Sequence, residues 1–417
     1  MPEPSPGAPP LPVSGARLVA LVCVAQVLAQ IGAYAWPALL PGRVAEWGLS
    51  NSAAGWITSA FYLSYTLSVP VLVTLTDRID AKKVYLFGVA LTVTGHLLFA
   101  LAADGFAGAL AARLIAGVGW AGTYMTGLKL LADRVDGRLM SRAVAGHAAS
   151  IGIAGAVSFL FADTVAGLLG WRAAFLIAAA SAAGGWAIAL LFAPWQEKRA
   201  PQENPPGLFD FGPVFRNRAA MAYSVAYCVH TWEMNALRGW GVAFLAWVAA
   251  HHGATPWLAP AAVLTATALL GVGASVAGNE AAIRLGRVRL VRLAMALSIL
   301  FGAAIGFTGG LSYSLAAALL VCWGIVIWLD SASLTAGAAG NADPARRGAT
   351  LAIHSMLGYG GGFVGPLAVG YALDAAGGMS TAGWAIAFGS VAAVMLAGRV
   401  AFALLRPRDL SGERHGG

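Results

Sequence analysis

The chain has 417 residues, of which 59% are hydrophobic and only 11% are charged. Soluble domains carry charge on about a quarter of their residues, so this composition excludes a protein whose whole surface faces water. The net charge is +8, and the basic residues concentrate in alternate loops. This distribution indicates how the chain is oriented in a membrane. It excludes a basic nucleic-acid-binding surface as the reason for the positive charge.

Apolar runs of about twenty residues follow one another along the whole chain. A helix of that length crosses the hydrocarbon core, and it satisfies its own backbone hydrogen bonds within lipid. The loop Ala103–Gly105 is so short that the third and fourth runs must form a tight hairpin. The sequence therefore predicts an all-α polytopic membrane protein with 12 transmembrane helices, over residues 18–40, 53–75, 84–103, 106–131, 143–166, 173–193, 219–247, 257–279, 291–309, 313–336, 348–372 and 381–404.

The polar segments divide these helices into two sets of six. Residues 1–17 and 405–417 are predicted to be cytoplasmic tails, the first of them disordered. The Pro-rich stretch 194–218 is predicted to be a cytoplasmic linker between the halves 18–193 and 219–404. Of the 26 Lys and Arg residues, 20 lie in loops and tails on the side of the N-terminus and 2 lie in loops on the other side. The positive-inside rule then places both termini in the cytoplasm, and we expect the protein in a cell membrane, the bacterial inner membrane.

Two short motifs recur in the two halves. The charged segment Leu75–Lys83 has a relative at Arg284–Arg289, about half a chain later. The pattern Gly-Trp-x-x-Ala-Phe opens both the sixth span, at Gly170, and the twelfth, at Gly383. The motifs occupy corresponding positions in the predicted topology, which indicates an internal duplication of six helices.

The order of these features resembles the major facilitator superfamily. The loop between spans 2 and 3 matches the signature of that family at Leu75, Asp77, Arg78 and Lys82, but Asp80 stands where the family prefers glycine. Span 4 carries Arg113-x-x-x-Gly117-x-Gly119, which also resembles a family motif. The resemblance implies two six-helix halves that transport a solute by alternating access.

In the second copy of the loop motif, Ile283 replaces the acid. We expect the two copies to form a conformational latch made by Asp77, Arg78, Lys82, Arg284, Gly286 and Arg287.

Ionisable groups within apolar spans are functional candidates, because lipid penalises them unless they face a cavity or a partner. In span 7, His230 and Glu233 are three residues apart and share a helical face, with Arg238 further along. Glu233 is predicted to exchange the coupling proton or bind a cationic substrate, with His230 tuning it. Alternatively, Glu233 pairs with Arg238 or Arg113 and only holds helices together.

Five other side chains complete the candidate substrate and proton site. Arg113 suits an anionic substrate or a nearby carboxylate, and a structural ion pair is the rival interpretation. Asp330 in span 10 is either a second proton site or a cap. Gln26, Gln30 and Tyr34 recur every four residues and predict a polar stripe along the central path, although hydrogen bonds between helices explain them too.

The leading hypothesis is a secondary active transporter of a small organic solute, coupled to protons and acting as a monomer in the lipid bilayer. The arginines favour an anionic or zwitterionic substrate. A membrane-embedded enzyme and a non-transporting sensor of the same fold are the alternatives, and we do not expect an enzyme because no nucleophile, base and metal cluster is recognisable. No cofactor, metal or nucleic-acid partner is expected, and the direction of transport is left open.

Overall fold

Six long helices of the computed structural model begin where a short polar side chain caps the first turn. The side chain of Ser50 accepts a hydrogen bond from the backbone N–H of Ala53, and Asp80 accepts one from Lys82. Such caps satisfy backbone donors that the helix itself leaves free. The structure describes residues 14–135, 137–196, 211–253, 255–410 and 413; the first thirteen residues of the predicted N-terminal tail and most of the predicted linker lie outside these ranges.

We refer to the helices before residue 197 as the N half. They are α1 (Gly15–Gln30), α2 (Ala35–Trp47), α3 (Asn51–Leu75), α4 (Ala81–Ala102), α5 (Phe106–Ala121), α6 (Tyr124–Ala132), α7 (Gly137–Leu169) and α8 (Trp171–Phe192).

The helices after the short α9 (Gly212–Arg216) form the C half. They are α10 (Arg218–His251), α11 (Pro260–Leu285), α12 (Arg287–Thr308), α13 (Tyr313–Leu329), α14 (Ser331–Gly340), α15 (Arg347–Ala375) and α16 (Thr381–Leu404), with two 3₁₀ turns at Gly309–Leu311 and Pro344–Arg346.

The predicted all-helical polytopic fold is confirmed, and the secondary structure of the described ranges contains no strand. Ten helical stretches there are long and apolar enough to cross a membrane, and the more polar α10 and α15 complete the twelve. Three predicted spans are interrupted: the first between α1 and α2, the fourth between α5 and α6, and the tenth at Asp330. We call the side that carries both chain ends the termini face and the opposite side the far face.

The two halves meet along α3 against α15 and along α7 against α11, with α2 against α10. The interruptions of α1–α2 and α13–α14 lie beside these contacts, and the polar side chains there, Tyr34 and Asp330, are buried. This arrangement brings the mid-span polar residues of the two halves towards each other.

Candidate functional site

Tyr34 lies at the interruption of the first span, where the chain turns between α1 and α2. Its backbone N–H donates to the hydroxyl of Ser158 on α7 at 2.8 Å. Its ring stacks on Phe159, with 5.0 Å between ring centroids and 3° between planes. Tyr34 is therefore held in place by α7 at the edge of the N half.

Arg238 reaches Tyr34 from the C half. Its Nη1 donates to the Tyr34 hydroxyl at 2.9 Å. Its Cζ lies 5.1 Å from the ring centroid of Trp328 on α13 and 5.2 Å from that of Tyr34. One hydrogen bond and one cation–π contact, both to Tyr34, thus join the halves at mid-depth, and the contact with Trp328 holds Arg238 within the C half.

Arg113 on α5 is only 2% exposed. Its Nη1 donates to the backbone oxygen of Ala33 at 3.1 Å, its Cζ lies 4.3 Å from the ring centroid of Phe61, and its Nε has no hydrogen-bond partner. Over the described ranges no carboxylate forms an ion pair with Arg113 or Arg238. Among the described residues, the two guanidinium groups at the centre of the bundle therefore form no ion pair with a carboxylate.

The carboxyl groups of the C half lie elsewhere. Glu233 is buried, with one oxygen accepting from the indole N–H of Trp323 at 2.6 Å and the other from the hydroxyl of Ser298 at 2.9 Å. Nδ1 of His230 lies 2.9 Å from a carboxylate oxygen of Asp330, at the interruption of the tenth span. Neither arginine contacts Glu233, so the alternative in which Glu233 pairs with Arg113 or Arg238 does not describe this structure.

Gln26 and Gln30 lie inside the N half, and the interruption after Gln30 separates them from Tyr34. Gln26 accepts a hydrogen bond from the hydroxyl of Tyr85 at 3.1 Å, and Gln30 donates to the hydroxyl of Thr123 at 2.9 Å. These two contacts join helices of one half, whereas Tyr34 contacts the other half. The polar spacing along span 1 does not by itself reveal this division.

The predicted latch residues lie on the termini face. Asp77, Arg78 and Arg284 are exposed. Lys82 is buried and donates to the backbone oxygens of Leu190 and Ala193 in its own half.

Gly286 precedes α12 with φ at +90°, and Arg287 is buried in contact with Glu413. The buried charges of both copies therefore bind within their own halves, and the latch between them stays a prediction.

A contact on the far face was not predicted from the sequence. One oxygen of Asp374, near the end of α15, accepts from the backbone N–H of Asn51 at 3.0 Å and from its side-chain amide at 2.8 Å. The other oxygen accepts from the N–H of Ser52 at 2.8 Å. A carboxylate of the C half thus caps a helix of the N half. A single acid at a span end gives no sign of a partner more than 300 residues away.

A narrow cleft of about 20 Å³, about the space of one water molecule, lies beside Arg238 between α7, α10, α11 and α13. It is lined by Phe159 of the N half and by Met234, Leu237, Arg238, Leu264, Thr267, Ala268, Gly324, Ile327 and Trp328 of the C half. Within the described ranges no group of three His, Cys, Asp or Glu side chains could hold a metal ion.

The geometry describes a polytopic bundle with a polar centre built from two halves, as in membrane transporters. Residues 22–366 match the family model of the Major Facilitator Superfamily. The chain belongs to this superfamily of transporters.

Relatives and solved structures agree with that assignment. The chain is 30% identical over 132 residues to the uncharacterized MFS-type transporter YbcL of Bacillus subtilis (strain 168), and 30% identical over 130 residues to the methylenomycin A resistance protein of the same organism. These alignments cover 31% of this chain and only 33% and 28% of the relatives. A mutant of the nucleoside transporter NupG superimposes with a TM-score of 0.77 at 16% identity, over 93% of this chain and 99% of that one. The POT family transporter PepTSo superimposes with a TM-score of 0.75 at 14% identity, over 93% of this chain and 97% of that one. At these identities the structures share the fold alone.

Proposed function

We propose that this protein is a secondary active transporter that moves a small organic solute by alternating access and couples the movement to protons. The observation that supports it most is the hydrogen bond between Tyr34 and Arg238, because it joins one candidate substrate group from each half at mid-depth. If the halves rock about this point, the same groups face first one side of the membrane and then the other.

The inter-half hydrogen bonds of the described ranges support this motion. All of them lie between mid-depth and the far face: the bond from Arg238 to Tyr34, those that Thr265 makes with α7, and those at Asp374 and Tyr371. The structure thus corresponds to a state joined at the far face. With the predicted orientation, in which both termini are cytoplasmic, this is the state that opens inwards.

Coupling to protons is assigned to Glu233, supported by His230 and Asp330. Glu233 has two hydrogen-bond donors and no cation partner among the described residues. An ionised carboxylate in such a site is costly, so gain or loss of a proton changes the energy of the C half strongly. Glu233 and Arg238 lie on the same helix, so a shift of α10 would link protonation to the substrate site.

The test is uptake into liposomes that contain the purified protein, with a compound first found by thermal stabilisation. A one-unit pH gradient stores 1.4 kcal/mol, so one-to-one coupling accumulates the compound about tenfold, in the direction set by symport or antiport. Glu233→Gln should lower this ratio to about one while exchange of labelled for unlabelled compound continues. Glu280→Gln, on the exposed surface of α11, should accumulate as the wild type does.

Two results would contradict the proposal. Accumulation by Glu233→Gln equal to that of the wild type would remove Glu233 from coupling. Wild-type transport that ignores the pH gradient would leave facilitated diffusion as the function.

A further inference from the structure

A groove of about 340 Å³ lies on the outside of the C half, between α12 and α16 near the termini face. It is lined by Arg292 of α12 and by Arg399, Val400, Ala403 and Leu404 of α16. All five lining residues are exposed. The groove therefore opens away from the bundle, and its volume is within the range of pockets that bind a small ligand or a headgroup.

Both arginines of this groove carry a charge that the described residues do not neutralise. Neither of them forms an ion pair with a described carboxylate. Of the tail acids at this end of the C half, Asp409 binds the backbone N–H of Val288. Glu413 binds the side chain of Arg287. Two guanidinium groups beside one groove attract an anion, and arginine suits phosphate because its N–H groups form parallel hydrogen bonds with two oxygens.

The two arginines lie near the membrane surface rather than at mid-depth. Arg292 is about 8 Å along α12 from its start, and Arg399 is about 8 Å along α16 from its end, at 1.5 Å per residue. Both helices are long and apolar enough to span a membrane, and both of these ends lie at the termini face. Arginine side chains near the end of a span extend towards the interface, where the lipid phosphates lie.

An exposed apolar surface continues from the groove towards the middle of the membrane. Leu396, Val400 and Leu404 recur every four residues and share one side of α16, and they are 50%, 52% and 67% exposed. On α12, Leu300 lies about two turns deeper than Arg292 and is 62% exposed. A ligand with acyl chains can cover this surface, whereas a soluble phosphate compound gains nothing from it.

We propose that the groove between α12 and α16 binds an anionic phospholipid, whose phosphate contacts Arg292 and Arg399 and whose acyl chains lie along the leucines. A zwitterionic phospholipid fits less well, because the cation beside its phosphate is repelled by the two arginines. Basic pockets between membrane helices are typical sites for acidic lipids. The groove is separate from Tyr34 and Arg238, so the inference holds whether or not the protein transports a solute.

The test measures lipid binding to the purified full-length protein in a neutral detergent, by native mass spectrometry and by thermal stabilisation. Dioleoylphosphatidylglycerol is compared with dioleoylphosphatidylcholine, which has the same acyl chains, and with inorganic phosphate. Each arginine near an anionic lipid strengthens binding about fivefold, so the wild type should favour phosphatidylglycerol by about 25-fold. Inorganic phosphate should neither stabilise the protein nor displace the lipid.

Matched variants separate the groove from the general charge of the protein. Arg292→Gln combined with Arg399→Gln should abolish the preference, and the two lysine replacements should keep it at reduced strength because they keep the charge. The control combines Arg17→Gln with Arg142→Gln, which removes the same charge from exposed positions of the N half on the same face, and it should bind as the wild type does. Ala403→Trp keeps both arginines but fills the groove, so it should weaken binding of phosphatidylglycerol. All these positions are exposed, so the melting temperatures without added lipid should match that of the wild type.

Three results would overturn the inference. Equal binding of the two lipids to the wild type would remove the role of the headgroup charge. An equal loss of preference in the N-half control would assign the effect to net charge instead of the groove. Stabilisation by inorganic phosphate that matches phosphatidylglycerol and depends on Arg292 and Arg399 would make the groove a site for soluble anions.

Discussion

The two halves carry related charge clusters on the termini face, but they obtain their acids from different places. In the N half the acid comes from the loop motif itself. Asp80 caps α4 and accepts from Nη2 of Arg134 at 2.7 Å and from the N–H of Gln196 at 2.8 Å. Asp80 therefore ties the loop before α4 to two later segments of the N half.

In the C half the acids come from the tail after the last helix. Asp409 accepts from the N–H of Val288 at 2.7 Å, at the start of α12. Glu413 accepts from Nε of Arg287 at 3.0 Å, and the hydroxyl of Tyr223 donates to the backbone oxygen of Arg408 at 2.8 Å. The tail supplies the carboxylates that the second copy of the motif lacks.

The difference shows that the duplication is preserved in contacts more closely than in sequence. In each half, the segment after the sixth membrane span folds back onto the loop before the third span. The third span is α4 in the N half and α12 in the C half. In the N half, the loop supplies the acid, Asp80, which binds the backbone of that segment. In the C half, the loop has Gly286 at the corresponding position, and the segment supplies the acids that bind Arg287 and the backbone of Val288. Asp80 stands where the family prefers glycine. Its φ is −54°, which any residue can adopt, so the local structure accommodates the aspartate.

The largest expected effect is on the N half, from Asp80→Ala. This change leaves Arg134, whose side chain is 1% exposed, without an anion, and it removes the cap of α4. Breaking a buried ion pair costs about 3–5 kcal/mol. Unfolding in mixed micelles, followed by tryptophan fluorescence, measures it. Asp77→Ala, exposed in the same loop, should change stability by less than about 0.5 kcal/mol.

The Asp80 effect should depend on pH. Burial raises the pKa of Asp80, but hydrogen bonds from Arg134, Gln196 and Lys82 outweigh burial and hold this pKa below its usual range. The stabilisation is therefore complete above the ordinary pKa of about 3.9 and is lost as the pH falls through the lowered one. The difference between the wild type and Asp80→Ala should shrink below pH 4; a difference that is constant with pH would mean that the ionised carboxylate contributes nothing.

The second largest effect tests the tail. Glu413→Ala should cost about 2–3 kcal/mol, less than Asp80→Ala, because Arg287 keeps hydrogen bonds to Asn279 and to the backbone oxygen of Ser333. Arg287→Ala and the double variant complete a cycle that isolates the pair. A coupling energy near zero would show that the tail does not serve the C-half cluster.

The sequence predicts the helices better than it predicts the contacts between them. The apolar runs end within a few residues of the observed helices in most cases, since length and hydropathy determine a membrane span. The interruption before Tyr34 was not predicted, because the turn contains only one glycine in an apolar run. The tail contacts of Asp409 and Glu413 were not predicted either, because their partners lie more than 120 residues away.

The same limit applies to the candidate site. Tyr34 and Arg238 were singled out because polar groups in apolar spans are conspicuous. Their pairing depends on how the halves meet, which no local pattern reports. Phe159 and Trp328 were not singled out, because an aromatic side chain on an apolar helix looks the same in a core and in a cleft.

The smallest expected effect concerns the backbone of the C-half loop. Gly286 has φ at +90°, where a side chain is strained, so Gly286→Ala should cost about 1–2 kcal/mol. Gly348→Ala, at an open helical position of α15, should be neutral or slightly stabilising because alanine favours helices. If Gly286→Ala is as stable as the wild type, the loop has changed φ towards that of Asp80. The contacts of Asp409 and Glu413 would then tolerate a shift at the start of α12. The two halves would differ in the residue at this loop position, but neither half would require a positive φ there.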